Sequence, residues 1–145
     1  MTIDFIKENK VEDLNPRVRA ILGVPEEFLN DEVISSPTFI IKADKYINRK
    51  IQEYDDLDKG LLNIAFVYYV SYLICFGMHA RLPKQMENVN TKTVLQSIDW
   101  DAKALELLDE CNSALEDAIA EVEDIQYGQT FAVLSDSSEY PNTSI

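Results

Sequence analysis

LLNIAFVYYVSYLICFGM, Leu61 to Met78, is the stretch around which the chain is organised. No other segment is so continuously apolar, and it holds no charge. As a helix it would rise roughly 27 Å, near the lower limit for crossing a bilayer. Yet Asn63, Tyr68, Tyr69, Ser71 and Tyr72 lie in mid-span, where hydrocarbon penalises them. The flanks are acidic before it (Asp55, Asp56, Asp58) and carry only Arg81 and Lys84 shortly after it. The stretch therefore reads as a buried helix outside the membrane. A helix apolar nearly all round must be covered on most sides, by neighbouring helices, another subunit or both.

On its N-terminal side the pattern turns amphipathic. Ser35-Ser36-Pro37 is a helix start, with Ser36 as candidate cap and Pro37 in the first turn. Ile40, Ala43, Ile47, Ile51 and Tyr54 recur at spacings of three and four, making one apolar face that Phe39 and Tyr46 widen. Lys42, Lys45, Arg49, Lys50 and Glu53 fall largely on the other side. An Asp of the 55–58 link is expected to cap the central helix, and Gly77 to stop it. Further back, Asn15-Pro16 opens a short helix that Gly23 ends, Asn30-Asp31-Glu32 opens another turn, and residues 1–9 can form a short helix.

Past the apolar stretch, RLPKQMENVNTKTVLQ (81–96) reads as a long loop or small hairpin. Asp99 or Asp101 can cap a third long helix beginning at Trp100. There Ala104, Leu108, Cys111, Leu115, Ala118 and Val122 form a heptad-like seam, broadened by Leu105, Leu107 and Ile119. The expected fold is all-α: a small bundle with main helices near 37–54, 57–77 and 100–124. Residues 1–124 form the helical domain. Residues 125–145 are expected to be an extended arm, because Gly128 should break the helix and QTFAVL (129–134) has strand-like composition.

The net charge of −13 is uneven. From Ala104 onward there are ten acidic residues and no basic one, whereas residues 1–103 carry 13 basic and 16 acidic groups. Nothing resembles a basic groove for nucleic acid. An acidic face keeps DNA away, imitates it, or meets a basic partner. The N-terminus MTIDFIKENK lacks an apolar signal-peptide core, so synthesis in the cytoplasm is expected. Cys75 and Cys111 read as buried free thiols. His79, the lone histidine, reads as a surface or capping residue. There is no helical HExxH, no glycine-rich phosphate loop, no nucleophile elbow and no EF-hand spacing. The chain is expected to be a structural or interaction protein with no catalysis, cofactor or metal.

The order of parts resembles the head-tail connector (adaptor, or head-completion) proteins of tailed bacteriophages. The residues that carry the resemblance are LNDEVISSPTFIIKADKYINRKIQEYDDL, then LLNIAFVYYVSYLICFG, then RLPKQMENVNTKTVLQSIDWDAKALELLDECNSAL. It spans roughly residues 25 to 120. It implies a ring at the virion neck, commonly a dodecamer, beneath the portal of the DNA-filled head. One side would meet the portal protein, the other a stopper or tail-completion protein. DNA would pass nearby without specific binding, and no membrane would be involved. The basic residues Lys42, Lys45, Arg49 and Lys50 and the acidic residues Glu106, Asp109 and Glu110 are opposite in sign and suited to meet across neighbouring copies. Gln129, Thr130, Phe131, Ala132, Val133, Leu134 and Tyr140 would dock on the portal or a neighbour as an added strand or anchor. The alternative is an acidic helical regulator or DNA mimic that binds a basic partner.

Overall fold

The structure, a computed structural model, describes Phe5, residues 11–79, Leu95 and residues 97–137, of which 124–137 are described as backbone only. Among these residues the fold is all-α, as expected. The elements are α1 (Leu14–Leu22), α2 (Asp31–Ile34), α3 (Pro37–Ile51), α4 (Lys59–Cys75) and α5 (Trp100–Ser137). The expected short N-terminal helix and the loop or hairpin at 81–96 lie outside the described residues, Phe5 and Leu95 aside.

Helix α4 is the apolar stretch, and it sits at the centre, packed against α1, α3 and most extensively α5. Its apolar side chains occupy the whole circumference, so no single neighbour can cover it. Leu62, Ala65, Phe66, Val67, Val70, Ile74 and Cys75 are buried between the three flanking helices. Each large side chain so buried contributes about 1.5–3 kcal/mol. Ser71 is fully buried, and its hydroxyl donates to the Val67 carbonyl at 2.8 Å, which satisfies it within the helix. Asp58 caps the helix as expected: its Oδ1 accepts from the backbone N–H of Gly60 at 2.7 Å and of Leu61 at 3.4 Å. The chain leaves the helix through the turn at Phe76 and Gly77, and Met78 folds back into the core.

The amphipathic reading of α3 holds; on α5 the seam is turned slightly from the expected one, because Leu108 is only half-buried and Leu105 faces outward, while Leu107 and Ala114 point inward. Ala43, Ile47 and Ile51 are buried on one side of α3, with Ile40, Phe39, Tyr46 and Tyr54 packed against the core. On α5, Ala104, Leu107, Cys111, Ala114, Leu115 and Ala118 are buried and Val122 is half-buried, while Leu105 is 60% exposed. Asp99 caps α5, accepting from the Ala102 N–H at 3.0 Å. Trp100 is fully buried at its start, its Nε1 donating to the Leu95 carbonyl at 3.1 Å.

Residues 24–36 are tied to α1 from several sides. Gly23 takes the left-handed conformation (φ 70°) that a helix C-terminus asks of glycine, and its N–H donates to the Arg19 carbonyl. The Arg19 guanidinium donates to the Leu29 carbonyl at 3.1 Å and to Asp31 at 2.7 Å. Asn30 caps α2 through the Val33 N–H, and the Ser35 hydroxyl donates to Asn15.

Three expectations are corrected. Asn15 does not cap α1: the helix begins at Leu14 after Asp13, whose φ is 55°, and Pro16 sits in the first turn where its missing N–H is not needed. Ser36 makes no side-chain cap to α3, so Pro37 alone marks that start. The largest correction concerns the arm. α5 does not stop near 124 and Gly128 does not break it; the backbone stays helical through 125–137, including 129–134. A glycine inside a helix costs about 1 kcal/mol, far less than the ~3 of proline. Extending an already nucleated helix gains a hydrogen bond for each residue added. The strand-like composition of QTFAVL is a weak preference by comparison. Residues 138–145, with Tyr140, lie outside the described residues.

Candidate interaction surfaces

The site residues expected from sequence fall on two outward faces and one helical extension. On α3, Lys42, Lys45 and Arg49 are exposed and lie within one stripe opposite Ala43, Ile47 and Ile51. Spacings of three and four residues hold them on that stripe over about 10 Å. Asp44, the acidic residue of α3, is half-buried, and Glu53 is exposed just past the helix end. Asp44 faces inward enough to accept from the Phe5 N–H and the Asn48 amide. Lys50 is also exposed but belongs elsewhere. Its ammonium stands 5.4 Å from the Tyr46 ring centroid, and it lines a recess with Asn112, Leu115, Glu116 and Ile119 of α5. The structure thus separates the four basic residues into an outer three and an inner one.

On α5, Glu106, Asp109, Glu110, Glu116, Asp117 and Glu121 are all exposed. The buried seam occupies one side of the helix, and 3.6 residues per turn places these acids on the other. Glu106 and Glu110 reach toward α1, lining a recess with Ile21, Tyr68, Lys103 and Leu107. Lys103, the last basic residue of the chain, is turned inward: its Nζ donates to the Leu22 carbonyl at 3.3 Å and lies 5.8 Å from the Trp100 ring centroid. The outer face of α5 therefore carries only negative charge over the described side chains. Glu106, Asp109 and Glu110 do not meet Lys42, Lys45 and Arg49, because the two faces point away from the core on different helices. Side chains of Gln129 to Leu134 lie outside the described residues; their backbone is in α5.

An aromatic ladder runs from α3 along α4 to its end. Tyr46 stacks on Tyr69 (centroids 4.1 Å, interplanar angle 14°), Tyr69 leans on Tyr72 (5.3 Å), and Tyr72 meets Phe76 edge-on (5.0 Å). The Tyr46 hydroxyl donates to Asn112 Oδ1 at 2.7 Å, and that of Tyr54 to Glu123 at 3.3 Å. Burial foremost raises the pKa of all three of Tyr46, Tyr54 and Tyr69; for Tyr54 the neighbouring Glu123 carboxylate adds to the effect. The available signal was the three-and-four spacing of Tyr69, Tyr72 and Phe76. The partner Tyr46 was not readable, because it comes from another helix. The ladder's end is open: Phe76 is 51% exposed.

Little in the described residues suits chemistry. Cys75 and Cys111 are free and buried, and burial pushes their thiols up to about 11 and about 12, the opposite of nucleophile activation. The Cys75 thiol donates to the Trp100 carbonyl at 3.2 Å. His79 is exposed. A cleft of about 730 Å³ opens between the N-terminal ends of α1 and α3, walled by Leu14, Pro16, Pro37, Ile40 and Phe66. Of its polar groups, Asn15 and Ser35 are already bonded to each other. Among the described residues no cluster of His, Cys, Asp or Glu is arranged to hold a metal ion, and no helix is long and apolar enough to cross a membrane. Comparison with family models, with curated proteins and with solved structures finds no match for this chain.

Proposed function

We propose that this chain is a structural subunit of the neck of a tailed bacteriophage. In this reading it forms a head-tail connector ring that binds the portal protein, receives a stopper or tail-completion protein, and continues the DNA channel without chemistry. The observation that carries the reading is the architecture. A mostly apolar central helix lies between two amphipathic helices, whose outer faces carry opposite charge. An outer face of α5 on which every described charge is negative suits a surface past which DNA slides without sticking. The helical continuation of α5 through residues 125–137 takes the place of the expected strand as the docking element, so the mode of attachment becomes a helix in a groove rather than strand addition.

The test is electron microscopy of particles assembled after this gene is deleted from its parent genome. DNA-filled or leaking heads beside free tails, rescued by the wild-type gene, are expected. Normal tailed virions would sink the connector reading. The same anionic face of α5 favours a second reading, an acidic regulator or DNA mimic that engages a basic nucleic-acid-binding protein. That reading calls for a complex with such a protein that dissociates at high salt, together with normal virions from the deletion.

A further inference from the structure

We infer that the outer stripe of α3 on one copy of this chain pairs, antiparallel, with the outer face of α5 on a second copy. Lys42, Lys45 and Arg49 follow one another at spacings of three and then four residues. On α5, Asp117 and Glu121 are exposed four residues apart, and the sequence places Asp124 three residues further on. Read backwards, the acidic series runs three and then four. Two helices laid antiparallel therefore bring Arg49 opposite Asp117, Lys45 opposite Glu121 and Lys42 opposite position 124. Both series rise about 10 Å, so the match holds along their whole length. A parallel arrangement finds no such set. In every run of α5 with spacings of three and then four, at least one position is neutral, as at Ser113, Ile119 or Ala120.

The pairing has to be between copies. The α3 stripe lies opposite Ala43, Ile47 and Ile51, and Asp117 and Glu121 lie on the side of α5 away from Asn112 and Ile119, which face Tyr46 and Lys50 of α3, so neither series can turn toward the other within one chain. Lys50, the one basic residue of the helix that does approach α5, sits with Glu116 and leaves the outer three unaffected. The donor and acceptor faces are different surfaces of the same molecule. The contact is therefore heterologous, and repetition closes a ring or extends a filament. Within the connector proposal this is the lateral contact of the ring, but it stands on charge and register alone.

The experiment is sedimentation of the full chain at low and high salt, with two exposed-site variants, K45E/R49E and D117K/E121K. Circular dichroism confirms that each keeps its helicity. The wild type is expected to self-associate at low salt and to weaken in 0.5 M salt, as screening predicts. Each variant alone is expected to associate at least about tenfold more weakly, since attraction becomes repulsion across the contact. An equimolar mixture of the two is expected to recover association, because reversed faces are complementary again and the copies alternate. Wild-type chains that remain monomeric at about 1 mM, variants that associate like the wild type, or a mixture that does not recover would each overturn the pairing. Recovery in the mixture beside normal virions from the gene deletion would keep the contact and remove the connector reading. Failure of the mixture beside tailless heads would do the reverse.

Discussion

Trp100 joins three parts of the molecule through one side chain. Its ring is fully buried, its Nε1 holds the Leu95 carbonyl, and its own carbonyl accepts from the Cys75 thiol on α4. Replacing it with alanine removes the largest fully buried side chain and leaves a cavity where α5 begins. Trp100→Ala is expected to lower stability by about 3–5 kcal/mol, read as a shift in urea midpoint. A loss below about 1 kcal/mol would mean the ring is not in the core. The thiols make a second prediction at this scale. Burial raises Cys75 and Cys111 from the ordinary 9.0 to about 11 and about 12. Between those values the folded chain keeps thiol protons that the unfolded chain has released. Their contribution is complete below about pH 9 and is lost as pH rises through 11 and 12. Tyr46, Tyr54 and Tyr69, raised from 10.0, act with the same sign. Urea unfolding across pH 8 to 11 should show stability falling at the alkaline end, and less steeply in Cys75→Ala/Cys111→Ala. Equal slopes for the two proteins would contradict the burial of the thiols.

At the scale of elements, α5 is the helix whose length matters. It runs 38 residues against 17 for α4, so the helix it packs on accounts for only part of it. Tyr54, just beyond α3, reaches Glu123 and fastens the two where the expected domain boundary lay. Gly128 lies inside the continuing helix. Gly128→Ala is therefore expected to add about 0.5–1 kcal/mol of local helix stability and to increase far-ultraviolet ellipticity. If the substitution lowers helicity, the backbone at 128 is not helical and the extended-arm reading returns. The acidic first part of this helix and its more apolar continuation are distinct in character, which suits one element serving two neighbours.

At the scale of the molecule, among the side chains described on α5, which end at Glu123, every buried core residue lies at or before Ala118. Truncation after Asp124 is accordingly expected to leave the thermal unfolding midpoint within a few degrees of the full chain, a shift that corresponds to less than about 1 kcal/mol. Within the proposed function it abolishes attachment to heads. A truncated chain that unfolds far earlier would place residues 125–137 in the fold itself. One that still attaches would remove them from the docking role.

Much of this architecture was legible in one dimension. The three-and-four spacing of Ile40, Ala43, Ile47 and Ile51 marks a buried stripe wherever the partner comes from. The unbroken apolar run of 61–78 demands a central place, because no one-sided packing can cover it. Pro37, Gly23, Asn30, Asp58 and Asp99 mark ends through constraints that act within a few residues. What tertiary structure alone decided is which faces meet. The Tyr46 stack on Tyr69, the inward turn of Lys103, and the division of Lys50 from Lys42, Lys45 and Arg49 depend on how α3 and α5 are set against α4. No periodicity encodes that angle. The end of α5 was misjudged from sequence for a related reason. A glycine and a few β-favouring residues express preferences near 1 kcal/mol, whereas the propagating helix keeps every backbone hydrogen bond it has already begun to make.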